Sequence, residues 1–329
     1  MGIEAPAKMK FAIIAEALEA EDNVLNISWM CEIAGVSRAG YYAWVNAEPL
    51  RLAREEQDSK DYDLVLEAYN FKNYPKGARG IYMTLLHFDE PVRMNLKKIR
   101  RLMKKYGLVC PIRRANPYRK LMRDMQTNNV AKNVVNRNFR QGPRKVLLTD
   151  ITYLFYANGV CYLSTILDAF TREILAYQIS RSLKVNFVIE TVDELVLKHG
   201  CTLDDETIVH SDQGCHYTSK AFMEKLKDEN FVQSMSRKGN CWDNAPQESF
   251  FGHMKDEIKE LVAAQESFED VKAVVDDWMD YYNNYRYQWD LEKLSPREYY
   301  DYLMTGVYPI PKYEPKQHSS WGSAPNPEV

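Results

Sequence analysis

Apolar residues recur along this chain with two different periods, and the place where one gives way to the other divides it. Up to about residue 107 they fall three or four apart, the spacing that lines one face of a helix. Met9 to Ala20 reads as one helix. Ile27 to Val45 reads as a helix-turn-helix, with Gly35 supplying the turn and Ser37 capping the second helix. That pattern has two readings: a unit that contacts DNA, or two helices packed only against each other. A second helical unit runs from about Asp61 to Gly107, with a breaker-rich turn at Tyr74-Pro-Lys-Gly-Ala-Arg-Gly80. Asn95 can cap a helix from Leu96 to Tyr106 whose Leu96, Ile99, Met103 and Tyr106 share a face. From Val109 to Arg144 the period is lost, and Pro111, Pro117 and Pro143 mark a linker.

The period then shortens to two. Lys145–Tyr156 and Val160–Phe170 alternate as strands, with a tight hairpin expected at Asn158-Gly159. A third strand, Ile174–Ser180, follows. Next come a helix (Asn186–His199), a strand (Thr207–His210), a helix (Ser219–Asn230), a strand (Phe231–Ser236) and a helix from Ala245 to about Leu261. Two aromatic-rich helices, Phe268–Tyr287 and Pro296–Met304, close the pattern, and the tail after Pro311 reads as loose. The order β-β-β-α-β-α-β-α is that of a ribonuclease H-like fold, a mixed sheet with helices on both faces. The expected architecture is therefore multidomain, α followed by α/β. Its parts are a helix-turn-helix-like region (1–60), a second helical unit (61–125), a basic linker (126–144), a ribonuclease H-like core (145–265), C-terminal helices (266–310) and a flexible tail (311–329).

Charge changes this picture more than composition does. No apolar run approaches the roughly 20 residues that span a bilayer, and the N-terminus lacks the pattern of a secretion signal. Six scattered cysteines without a Cys-x-x-Cys pair read as reduced thiols of a cytosolic protein rather than a disulfide framework or structural zinc. The net charge of −3 conceals segregation, because residues 93–145 hold 17 Lys or Arg against a single acid, Asp124. Such a block is either a solvated helix face with a flexible linker or the footprint of a polyanion, and its lopsidedness favours nucleic acid. On the Leu96–Tyr106 helix, Lys97, Lys98, Arg100, Arg101, Lys104 and Lys105 surround the apolar stripe, and Arg113 and Arg114 continue the series. These are candidate phosphate contacts.

Three acids carry the candidate chemistry. Asp150 interrupts the apolar strand Val146-Leu-Leu-Thr-Asp-Ile-Thr-Tyr153. A carboxylate there is costly unless it is paired, hydrogen-bonded, metal-bound or turned to solvent at an edge. Asp212 ends the fourth strand, where mixed sheets present ligand-binding groups, or else it only shapes the turn before Gly214. Glu248 lies in the first turn of a helix with Asp243 or Asn244 as its cap and Pro246 in that turn, a place the helix dipole favours for any acid. Taken together, the strand order sets the first and fourth strands side by side with the last helix across them, which would converge the three. Hard cations such as Mg²⁺ or Mn²⁺ choose oxygen ligands. Two of them about 4 Å apart can activate an attacking water or 3′-hydroxyl. Lys255, two helical turns beyond Glu248, is either a contact to a DNA phosphate or a solvated lysine. His210, His216 and His253 match no zinc spacing and read as supporting residues.

Several ordered motifs point to one family. Thr149-Asp-Ile-Thr-Tyr153, His210-Ser-Asp-Gln-Gly214, Tyr217-Thr-Ser219, Ser236-Arg-Lys-Gly239 and Trp242-Asp-Asn-Ala245, with Glu248 and Lys255, resemble the integrase core of bacterial insertion-sequence transposases. The match is closest to the second-frame product of two-frame elements, often joined by frameshifting to a first-frame DNA-binding protein. Tyr282-Asn-Asn-Tyr-Arg286 and Leu294-Ser-Pro-Arg-Glu-Tyr299 resemble its C-terminal close, and Val36-Ser-Arg-Ala-Gly-Tyr-Tyr42 and residues 77–107 its helical N-terminus. The resemblance implies that Asp150, Asp212 and Glu248 hold two Mg²⁺ or Mn²⁺ ions per site. It also implies that Lys255 touches DNA, and that the chain cuts element ends and joins their 3′-hydroxyls to target DNA, as a homo-oligomer. Two departures stand out: no His/Cys zinc module of the retroviral kind is present, and Leu147 stands where relatives often have Trp. The rival expectations are a nuclease that only hydrolyses and a non-catalytic DNA-binding regulator.

Overall fold

The computed structural model describes residues 5–20, 23–111, 131–237 and 241–311. Arg113 and Arg114, most of the tail and the first residues of the expected linker lie outside the described residues. The chain divides into two compact units, Met1–Leu66 and Glu67–Val329. Helix α4 (Glu48–Asn70) runs through that division and through the boundary expected after residue 60.

The first unit holds α1 (Ala7–Glu19), α2 (Ile27–Ala34), α3 (Arg38–Asn46) and most of α4. Asn26 caps α2 by accepting from the Trp29 N–H at 3.0 Å, and Ser37 caps α3 by accepting from the Gly40 N–H at 3.0 Å. Between them Gly35 takes the left-handed φ of 64° that ends α2, as the sequence pattern requires. Ile14, Met30, Cys31 and Tyr41 form a small core, with Phe11, Ala34 and Val36 packed around it.

The second unit contains α5 (Ala78–Leu86) and α6 (Leu96–Lys105), which pack together, followed by a five-stranded sheet. Its strands are β1 (Val146–Tyr156), β2 (Gly159–Asp168), β3 (Ile174–Ser180), β4 (Ile208–Ser211) and β5 (Val232–Met235), in the order β3-β2-β1-β4-β5. The first three pair antiparallel, while β1–β4 and β4–β5 are parallel. Helices α7 (Val185–His199) and α8 (Lys220–Asp228) supply the crossovers. Alternation along β1 sorts the core into two halves. Leu147 and Val209 pack with α7 and α8, whereas Val146, Leu148, Leu154 and Ile208 pack with α9 (Ala245–Ala263) and α10 (Phe268–Asn284). Helix α11 (Pro296–Thr305) follows, its start closed by a capping box between Ser295 and Glu298.

Two local expectations are corrected. The hairpin turns at Ala157-Asn158, not Asn158-Gly159, since Tyr156 pairs with Gly159. Distant contacts hold it there: the Ala157 N–H donates to the Gln265 carbonyl at 3.0 Å, and the Asn158 amide donates to the Glu266 carbonyl at 2.8 Å. Residues 131–144, expected as a linker along DNA, are docked on the sheet edge instead. The Val134 N–H donates to Ser234 Oγ at 2.9 Å, and Val135 is buried. Arg144 is 4% exposed and bonded to Asp168 and Glu173, beneath the Tyr300 ring. Part of the basic block is thus spent on internal ion pairs.

Candidate active site

The register of the sheet brings two of the three acids level. Leu148 of β1 lies opposite His210 of β4, so Asp150 and Asp212 each stand two residues beyond that pair. Alternation turns Asp150 to the face of Leu148 and Leu154, which α9 covers, and His210 follows Ile208 onto the same face, with Asp212 just past the end of β4. Both aspartates are half-buried. Asp212 also shapes its own turn, because its Oδ1 accepts the Gly214 N–H at 2.8 Å. A side chain at position 214 would meet that oxygen at 2.9 Å and press the Asp212 carboxylate out of this place. Asp150 Oδ1 accepts the Ile151 N–H at 2.8 Å. Both charges reach buried Tyr217, whose hydroxyl is 3.5 Å from Thr149 Oγ1. Burial first, then Asp150, with Asp212 adding, holds that phenol well above its usual value.

The third acid arrives on a helix. The buried stripe of α9 is Gln247, Phe250, Phe251, Met254, Ile258 and Val262, and it packs across β1. Glu248, half-buried in the first turn, follows Gln247, whose Nε2 donates to Thr165 Oγ1. Thr165 is the β2 residue directly opposite Asp150. The first turn of α9 therefore sits over the row of the sheet that carries Asp150. Lys255 is half-buried, two turns farther along.

What holds the start of α9 differs from expectation. Asn244 is its N-cap residue but makes no capping bond, and the Asp243 carboxylate is engaged elsewhere. Asp243 accepts from the Arg237 N–H at 3.0 Å, from Arg237 Nε at 2.9 Å, from Arg137 Nε at 2.8 Å and from Asn133 at 2.9 Å. Hydrogen bonds from Arg237, aided by Arg137, hold it well below the usual carboxylate range. His210 lies buried between these parts, with Nδ1 2.9 Å from Ser234 Oγ, and burial lowers its proton affinity. Gln247, Thr165 and the Asp243 clamp escaped the sequence reading. A glutamine at the head of an otherwise apolar helical stripe was the signal that could have found the first.

Oxygen donors of this kind suit Mg²⁺ or Mn²⁺, and buried Gln247 Oε1 and Asn244 Oδ1 add acceptor oxygens without partners beside Glu248. Among the described residues no three His, Cys, Asp or Glu side chains are gathered closely enough to hold an ion. Of the six cations on α6, Lys97, Arg100, Arg101, Lys104 and Lys105 are exposed and Lys98 is half-buried. Ile99 and Leu102 are the buried positions, so the stripe is turned slightly from the expected one. Asn95 caps the helix as expected, accepting from the Lys97 N–H at 2.7 Å. No helix among the described residues is long and apolar enough to cross a membrane.

Comparison with known proteins matches residues 140–241 and 230–296 to the integrase core domain family, and residues 56–116 to an HTH-like domain. The chain is 35% identical over 214 residues to a transposase-like protein of Haemophilus influenzae, covering 64% of this chain and 94% of that one. It is 30% identical over 269 residues to a proposed transposase of insertion sequence element IS150 from Escherichia coli, covering 81% and 90%. Among solved structures, the catalytic core of BIV integrase aligns with 49% of this chain and 96% of its own at 16% identity and a TM-score of 0.39, a likeness too slight to argue from.

Proposed function

The chain belongs to the insertion-sequence transposases that carry an integrase core domain, and on that footing we propose that it cuts the ends of a DNA element and joins the freed 3′-hydroxyls to target DNA. The observation that carries this reading is the placement of Asp150 and Asp212 at one level of the sheet, with the first turn of α9 and Glu248 over the same row. In this reading the three carboxylates are the ligands of two Mg²⁺ or Mn²⁺ ions. Such ions, when bound, supply a lowered pKa for the attacking oxygen and charge stabilisation for the leaving one. The protein's own part is orientation. In this reading the pairing of β1 with β4 orients Asp150 and Asp212, and the packing of α9 orients Glu248. Lys255 lies along the helix from Glu248, where an ammonium can hold a phosphate as a point charge. The exposed cations of α6 and the HTH-like segment supply sequence-tolerant attraction to double-stranded DNA. Joining two ends calls for a homo-oligomer, and a first-frame DNA-binding protein is a fitting partner. The domain division that goes with this reading runs 1–60, 61–125, 126–144, 145–265, 266–310 and 311–329.

The test is Glu248→Gln in a strand-transfer assay on DNA carrying element ends. The variant is expected to bind DNA as the parent does while losing joined product by at least a hundredfold, in line with loss of a group acting in the transition state. Joining at the parental rate would remove Glu248 from the site. Cleavage by the parent without any joined product would make the chain a hydrolytic nuclease.

A further inference from the structure

The apolar stripe of α9 begins with a polar residue. Gln247 is fully buried, and an amide in that position is costly unless it is hydrogen-bonded. Its Nε2 donates to Thr165, itself fully buried and directly opposite Asp150. Either orientation of the amide keeps this tie, because the threonine hydroxyl can accept or donate. A single bond therefore links the neighbour of Glu248 to the partner of Asp150.

Packing alone does not provide such a link. Burial of Phe250, Met254 and Ile258 is non-directional, so it tolerates small shifts of α9 along its groove. A hydrogen bond between two buried groups does not tolerate them. The helix also lacks a capping bond of its own at Asn244, and the Asp243 clamp just before it ties to Asn133, Arg137 and Arg237 rather than to β1 or β2. We propose that Gln247 and Thr165 are a positioning pair that sets the distance of Glu248 from Asp150, and through it the affinity of the acidic site for a divalent cation. This rests on the assignment of the three acids made under Proposed function.

The experiment measures Mn²⁺ binding by calorimetry, and melting temperature, for the full-length chain and four variants: Gln247→Leu, Thr165→Val, the double Gln247→Leu/Thr165→Val, and Thr165→Ser. Each single apolar variant strands one buried polar partner and is expected to melt lower, whereas the double variant removes both and recovers stability. A filler role predicts that Mn²⁺ affinity recovers with it. A positioning role predicts that the double variant stays at least tenfold weaker for Mn²⁺ at near-parental melting temperature, and that Thr165→Ser, which keeps the hydroxyl, binds normally. Parental affinity in the double variant overturns the pair. Absence of Mn²⁺ binding in the parent, or undiminished binding in Asp150→Asn, overturns the acidic-site assignment and this proposal with it.

Discussion

Lys76 is buried against the core with its ammonium donating to the backbone carbonyls of Phe71 and Tyr74. Burial lowers its pKa from the usual 10.5 to about 8, against the opposing pull of Glu257. Below pH 8 the lysine is charged in both the folded and unfolded chain, and the full cost of burying the charge is present. Between pH 8 and 10.5 the folded form sheds its proton while the unfolded form keeps it, so stability rises with pH across that window. The neutral amine still donates both hydrogen bonds. Melting curves at pH 7 and 9.5 should show a larger gain for the parent than for Lys76→Met, in which this contribution is absent; equal gains would place the lysine in a wetter site. The sequence offered no hint of this, because a lysine in a turn between two helical patterns reads as a solvated one. The acids were more legible. A lone Asp in an apolar strand and an Asp just past a strand's end announce themselves through the energetic cost of their surroundings. Gln247 was hidden for the opposite reason, since its partner Thr165 is remote in sequence and visible only once β1 and β2 are paired.

Among elements, those built from local periodicity were read correctly, and the failures came from distant partners. The strands of the mixed sheet and α7 to α11 lie where the alternation and the helical spacing put them, with ends shifted by a few residues. The hairpin slipped by one residue because Gln265 and Glu266 bind its turn, and residues 131–144 dock because Ser234 and Asp243 offer partners that no window of sequence contains. Helix α6 is the element with the most direct test. Lys97, Arg100 and Lys104 are exposed along it, so replacing the three with Gln should weaken DNA binding with little effect on stability. If all three meet phosphates, the slope of log K against log salt should flatten by roughly 2–3. An unchanged slope would assign α6 to packing alone.

At the scale of the whole molecule, the charge segregation of residues 93–145 shrinks once Arg137, Arg144 and Lys145 are seen in ion pairs with Asp243, Asp168, Glu173 and Asp204. Among the described residues of this block, most of the exposed cations that remain lie on α6. If the acids form a metal site, Mn²⁺ should stabilise the fold by about 2.7 kcal/mol at a hundred times its Kd. The melting temperature should rise accordingly, and Asp150→Asn should abolish the rise; a rise of equal size in that variant would locate the ion elsewhere. The parallel pairing of β1 with β4 has one more consequence, which concerns time. The β1–β2 hairpin can form as soon as it leaves the ribosome, but β1 meets β4 only after α7 has been made, and Glu248 arrives later still. A nascent or clipped chain can thus own a well-formed hairpin without all three acids, so the fold completes the proposed site only once synthesis has passed α9.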